Sequence, residues 1–273
     1  MRTDLVQSPT MKPELLSSAK NPLLKSVRKA IVRGALTDEG LAVAESFHLL
    51  EEALRSEVRI RAVLSAESII KTVENHIRGI QGLRIYTVPD ALFAQLSSTE
   101  SPQGVITLLE PPAWTLDHVL RGQALAIVLD GLQEPGNAGA IVRAAEAFGA
   151  SGVVFLKGCV NPFNPKALRA SAGSLFRVPY VQALEPDILQ AALEQKRIIL
   201  FAALPASGAP LGDLDLTHRC AIVIGSEGRG VSSAIANQAL PLRIPITGVE
   251  SLNAAVAAGI VLYEARRQRS AAT

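Results

Sequence analysis

The sequence predicts an α/β protein of two units, the second and larger one built on a parallel sheet. Three observations carry that prediction. Hydrophobic residues make up 48% of the chain and aromatic ones only 4%, so Ala, Leu, Val and Ile must fill the core. Short apolar runs alternate with helix-period segments along most of the length. Glu110-Pro111-Pro112 interrupts that alternation, and 273 residues suffice for two domains.

In chain order, residues 1–19 are polar, contain Pro9 and Pro13, and read as a flexible terminus. The run NPLLKSVRKAIVRGAL follows. As a helix it turns Leu23, Leu24, Val27, Ile31 and Val32 inward, and Lys20, Lys25, Arg28, Lys29 and Arg33 outward. No acid intervenes before Asp38, which makes this face a candidate phosphate contact as well as ordinary solvated surface.

Residues 45–55 read as an amphipathic helix, 60–65 as a strand, 69–78 as a helix and 83–88 as a strand. Residues 89–96 form a helix with Pro89 in first position, and 104–109 a further strand. The product is a small α/β unit of two or three layers over residues 20–112, followed by a linker with a helical turn at 113–123.

From residue 124 the pattern repeats on a larger scale. Strand 124–129, helix 138–148 and strand 152–156 make a βαβ unit, which requires a parallel sheet. Further strands fit at 177–181, 197–202, 220–224 and 242–246, with helices between them. A glycine-rich loop at 225–230 carries one carboxylate, Glu227, and its glycines let the backbone approach a ligand. A polar turn then leads to a long helix, with Ser251 as its expected N-cap and Asn253 in its first turn. Ala254, Ala255, Ala257, Ala258 and Gly259 give that helix a face with almost no bulk. Such a face suits a flat ligand or a close backbone crossing, and equally a helix packed tightly on a sheet.

Composition excludes several classes. A net charge of +2 is too small to argue for nucleic acid by itself. Cys159 and Cys220 have no metal-ligand spacing and read as buried thiols of a reducing, cytoplasmic compartment. His48, His76, His118 and His218 are scattered, so no metal site is expected. Neither a signal core nor an apolar run long enough to cross a membrane is present.

The loop after residue 129 spaces Gly131, Gly136 and Gly139 as Gly-x4-Gly-x2-Gly. No acid follows at the end of the next strand to hold a ribose, so this is not a dinucleotide fingerprint. No Gly-Lys-Ser/Thr follows either, so it is not a P-loop. The loop nevertheless opens a helix at the strand ends, where α/β sheets bind ligands. Asn137 and Arg143 are the polar members of that helix start, and six residues apart they lie on different faces.

Taken together, NAGAIVRAAEAFG, IGSEGRG and LRIPITGVESLNAAVAAGI closely resemble the three motifs of the SpoU-type branch of the SPOUT RNA methyltransferases, over about residues 124–269. Residues 20–110 more loosely resemble the small ribosomal-protein-like (L30e-like) substrate-binding domain that precedes the catalytic domain in many members. The resemblance implies a knotted (trefoil) parallel-sheet domain at residues 124–273, with S-adenosyl-L-methionine bound inside the knot. It also implies a homodimer with sites at the subunit interface, and 2′-O-methylation of a ribose in RNA.

Carried over by motif, Asn137, Arg143, Glu227, Ser251 and Asn253 are the expected catalytic set. Leu204, Gly225, Ser226, Glu227, Gly228, Ile244, Leu252, Asn253 and Ala254 are the expected cofactor contacts. Lys25, Arg28, Lys29 and Arg33 are the expected RNA contacts. In this family the first-motif arginine has been assigned as base. A guanidinium pKa of about 12.5–13.8 makes neutral Arg scarce at pH 7, so Arg143 is better read as a charge clamp on phosphate and developing alkoxide. The dedicated N-terminal domain favours large-subunit (23S) ribosomal RNA over transfer RNA. A non-catalytic RNA- or cofactor-binding protein and an NAD-dependent oxidoreductase are the rival classes. The intact polar set argues against the first, and the missing fingerprint against the second.

Overall fold

The computed structural model describes residues 12–80, 82–204 and 207–271. The chain divides into two units at Pro111/Pro112.

The first unit contains β1 (Glu14–Leu15), α1 (Pro22–Arg33), β2 (Ala42–Glu45), α2 (Phe47–Arg55) and β3 (Ile60–Ala66). It continues with α3 (Ile70–His76), β4 (Arg84–Val88), α4 (Asp90–Leu96) and β5 (Val105–Leu109). Its sheet runs β1-β4-β3-β5-β2, parallel on the β1 side of β3 and antiparallel on the other. Strand alternation sends neighbouring side chains to opposite faces. Leu64 and Ile106 pack with Leu24, Val27 and Ala30 of α1 and Phe93 of α4. Val63 and Val105 pack with Leu50 of α2 and Val73 of α3. The unit therefore has three layers.

Two expectations are corrected here. Residues 1–11 lie outside the described set, but Glu14 and Leu15 pair with β4 and Leu16 is buried, so residues 14–16 are not loose. The free ladder groups of β4 and the apolar cluster that takes in Leu16 hold them there. In α1, Val32 is 79% exposed although an inward position was expected. Two residues beyond buried Ala30, it lies about 200° further round the helix.

The second unit contains α5 (Leu116–Val119), β6 (Leu125–Asp130), α6 (Pro135–Ala147), β7 (Gly152–Leu156) and α7 (Pro165–Ser171). Then come β8 (Tyr180–Leu184), α8 (Pro186–Lys196), β9 (Ile199–Ala203), β10 (Ala209–Pro210) and β11 (Cys220–Gly225). α9 (Ser233–Ala236), β12 (Leu240–Arg243) and α10 (Ala254–Ala271) complete it. Its seven strands run β10-β12-β9-β11-β6-β7-β8, and every pairing is parallel. All carboxyl ends therefore meet along one edge, where loops gather.

The expected linker is part of this unit. Val119 and Leu120 are buried in the core formed with Ala126, Val128 and Val154, because α5 packs on β7. Strand ends also differ from expectation at two prolines. The strand expected at 242–246 is Leu240–Arg243, since Pro245 has no N–H for the ladder. The strand expected at 177–181 starts at Tyr180, after Pro179, because residues 174–176 form a helical turn.

α6 packs against both α7 and α10. A Cβ at Gly139 would lie 2.2 Å from the Ala167 carbonyl oxygen, so only glycine allows α6 and α7 to approach this closely. On the small face of α10, Ala254 and Ala258 are buried with Val261, Leu262 and Ala265. Both cysteines are free thiols, and burial pushes Cys220 up to about 11. Among the described residues, no helix is long and apolar enough to cross a membrane.

Candidate active site

Three loops converge at the carboxyl edge of the parallel sheet. The first leaves β11 at Gly225. Ser226 N donates to the Gly230 carbonyl at 3.1 Å and Gly230 N returns a bond to Ser226 O at 2.9 Å, which pins residues 227–229 in a tight turn. Inside that turn the Arg229 N–H donates to Ser226 Oγ at 3.3 Å. A Cβ on Gly225 would sit 2.1 Å from the Gly230 carbonyl carbon, so the closure requires glycine. The exit is tied down as well, because Ser232 N donates to Asp130 Oδ2 of the adjacent strand β6 at 2.7 Å.

The second loop opens α6. Pro135 occupies the first turn, and the Glu134 side chain accepts from Gly136 N while pairing with Lys166, which holds its carboxyl below the ordinary range. Asn137 follows on the first turn. The third loop opens α10, and here the N-cap expectation is corrected. Asn253 is the cap, its Oδ1 accepting from Ala255 N at 2.9 Å and Val256 N at 3.2 Å. Ser251 is exposed and precedes the helix.

That cap decides the rest. Its oxygen being committed to two helix N–H groups, the Asn253 amide nitrogen must face outward. It donates to Asn137 Oδ1 at 3.0 Å, and Asn137 Nδ2 in turn donates to Glu227 Oε1. One hydrogen-bonded chain thus links the three sequence motifs through Glu227, Asn137 and Asn253, ending on a helix N-terminus. Arg143 does not join it. It is exposed on α6 and, among the described residues, its side chain makes no hydrogen bond or ion pair.

Beside this chain is a cavity of about 170 Å³. Leu204, Gly225, Ser226, Glu227, Ile244, Leu252 and Ala254 line it, as does Ser251. Gly228 and Asn253 are not among its lining residues. Ala203, Ile224, Gly230, Ile246 and Ala257 also line it and were not expected. Ile246 repeats Ile244 at strand spacing, and Ala257 lies one helical turn past Ala254; both were signals available in the sequence. The walls are aliphatic, with a carboxylate and the glycine turn at the rim. That combination fits a flat heteroaromatic group carrying a polar tail. Among the described residues no cluster of His, Cys, Asp and Glu could hold a metal.

The expected RNA contacts lie in the first unit. Lys25, Arg28, Lys29 and Arg33 are all exposed on α1, and Lys29 is paired with Asp38.

Comparison with known proteins gives this geometry a family. Residues 21–107 match the model of the MRM3-like substrate binding domain. The 23S rRNA (guanosine(2553)-2′-O)-methyltransferase RlmP of Bacillus subtilis is 30% identical, over 92% of this chain and 98% of that protein. The 23S rRNA (uridine(2479)-2′-O)-methyltransferase of Streptomyces viridochromogenes is 34% identical, over 71% and 70%. The crystal structure of the SpoU methyltransferase AviRb from S. viridochromogenes, in complex with the cofactor AdoMet, superposes with a TM-score of 0.83 at 27% identity, covering 92% of this chain and 99% of that one. Residues 124–263, just over half the chain and all three converging loops, match the SpoU rRNA Methylase family: this chain belongs to that family.

Proposed function

We propose that this protein methylates a ribose 2′-hydroxyl of 23S ribosomal RNA, using S-adenosylmethionine, in the cytoplasm. The observation that carries the reading is the chain Glu227–Asn137–Asn253 at the rim of the apolar cavity. The named relatives favour ribosomal over transfer RNA.

Leu204, Ile244, Ile246 and Leu252 would enclose the adenine, with Gly225 and the turn beside it. When bound, S-adenosylmethionine supplies an electrophilic methyl group. The protein's own task is to orient the hydroxyl and carry the charge that develops as its proton leaves. Asn137 and Asn253 are held in fixed amide orientations and serve the first need. Arg143 serves the second as a positive charge clamp, with deprotonation late or through water. Ser251, at the cavity rim, offers the ribose a hydroxyl.

Arg143 is exposed and forms no hydrogen bond with its own subunit's network, which fits a role at a partner's site in a homodimer. A suitable surface exists on α10, where Val256, Ile260 and Tyr263 form a stripe that is 51%, 37% and 57% exposed. Ile260→Asp should shift sedimentation from dimer to monomer and abolish methyl transfer. A monomeric wild-type protein with full activity would sink the two-subunit site. The reading as a whole is tested by methyl transfer from labelled cofactor to ribosomal RNA, with 2′-O-methyl mapping. Cofactor retention without transfer would leave a binding protein instead.

A further inference from the structure

We propose that Arg229 is a positioning residue for the RNA, its guanidinium holding a backbone phosphate beside the methylated ribose. The inference rests on the methyl-transfer reading above. The turn that carries it is otherwise nearly bare, with Gly225, Ser226, Gly228 and Gly230 around Glu227, so a long cation at 229 fills no packing role. Arg229 is exposed, and among the described residues its guanidinium makes no hydrogen bond or ion pair. Other cations of the same unit are held: Lys157, Lys166, Lys196 and Arg267 each meet a carboxylate.

Position supplies the second argument. The turn is closed by the paired bonds between Ser226 and Gly230 and anchored by Asp130, so the backbone at 229 is fixed. Glu227, two residues earlier, is bound to Asn137. Two peptide steps of about 3.8 Å put the two Cα atoms within about 7.6 Å, which an arginine side chain spans. Arg229 therefore reaches the same nucleotide as the Asn137 network.

Charge supplies the third. Glu227 is an exposed carboxylate that accepts its hydrogen bond from a neutral amide, and it stands where a polyanion must approach. A cation on the same turn offsets that repulsion. Holding the phosphate also keeps the target nucleotide docked at the site, because the 2′-oxygen is joined to the 3′-phosphate through two ring carbons. Arg143 would carry the charge of the reaction, and Arg229 would set where the nucleotide sits.

The test compares Arg229→Ala and Arg229→Lys in the full chain with wild type. Binding to ribosomal RNA transcribed in vitro is measured across a KCl series, alongside steady-state methyl transfer and calorimetry with S-adenosylmethionine. Arg229→Ala should raise KM for RNA about 5- to 20-fold, the loss of one charge-assisted contact. The slope of log affinity against log salt should fall by about 0.7–0.9. Neither kcat nor cofactor affinity should change more than about twofold, since transition-state and cofactor contacts remain. Arg229→Lys should keep the slope and most of the affinity. An unchanged slope and KM for Arg229→Ala, in an enzyme whose wild type methylates RNA, overturns this inference alone. Lost cofactor binding, or a fall in kcat with KM constant, overturns it in favour of a role in the pocket. No transfer by the wild type overturns the underlying reading.

Discussion

Two helices of this protein begin in the same way and end up with different work. α1 is capped by Asn21, whose Oδ1 accepts from Leu23 N at 2.9 Å and Leu24 N at 3.4 Å. α10 is capped by Asn253, whose Oδ1 accepts from Ala255 N and Val256 N. Both residues satisfy backbone donors that a helix start leaves open. Asn253 alone passes its amide onward, to Asn137 and through it to Glu227. The difference lies in the sheets. The first unit mixes strand directions, so its loops are shared between two edges. The second unit is wholly parallel and brings the loops after β6, β11 and β12 to one edge. A cap becomes part of a site when topology places other polar ends beside it.

The strongest way to test that contrast is to remove the charge the second unit would bring to the reaction. Arg143→Ala should lower the methyl-transfer rate by about 10²–10³-fold, the range for one lost electrostatic donor. Its cofactor affinity should be nearly unchanged; a large calorimetric loss would place Arg143 in the cofactor pocket. If Arg143 acts across subunits, mixing Arg143→Ala with Asn137→Ala protein should restore part of the activity that each lacks alone.

The asparagine pair gives a sharper version. Asn21→Ala and Asn253→Ala should each cost about 1 kcal/mol in stability, the usual worth of a cap. Only Asn253→Ala should also slow methyl transfer, by about 10- to 100-fold, since it frees Asn137 to rotate. Equal kinetics for the two variants would show that the amide chain is incidental to the reaction.

Much of this arrangement was legible in the residues, and what was not has physical reasons. The strand Gly152–Leu156 fell where its apolar run predicted, because its flanks are unambiguous. β2 carries no clear strand signal, since Ala42–Glu45 is short and its last residue also begins a helical pattern. The cap of α10 was displaced because Ser251 and Asn253 are both good caps two residues apart. The bonds from Ala255 N and Val256 N go to Asn253, and such contacts are not visible in a linear pattern. The bond between Asn137 and Glu227 spans ninety positions of sequence, so the motifs identified its members without showing the connection.

A smaller effect probes the packed face of α10. Ala258 is fully buried, whereas Ala255 is only partly buried. Ala258→Leu should therefore overpack α10 against its neighbours and cost about 1–3 kcal/mol, read as a lower Tm with weakened cofactor binding. Ala255→Leu should cost less. Unaltered Tm in Ala258→Leu would refute close packing there.

The smallest effects belong to the first unit, where single cations act additively. On α1, Lys25, Arg28 and Arg33 are exposed, and among the described residues their side chains have no partner. Lys29 is already paired with Asp38, so it has less to offer a phosphate. If this face contacts RNA, replacing Lys25, Arg28 and Arg33 with Ala should raise KM for ribosomal RNA while kcat at saturating RNA stays nearly constant. Each cation lost should reduce the salt slope by about 0.7–0.9, so the triple variant should lose about 2.1–2.7 units. Lys29→Ala alone should change the slope least of the four. The converse experiment removes the whole unit: a chain starting near Trp114 should bind S-adenosylmethionine yet methylate RNA poorly. An undiminished kcat/KM for that shortened protein on full-length ribosomal RNA would move substrate choice into the second unit. It would leave α1 as a helix whose cap, charge and amphipathic face serve folding alone.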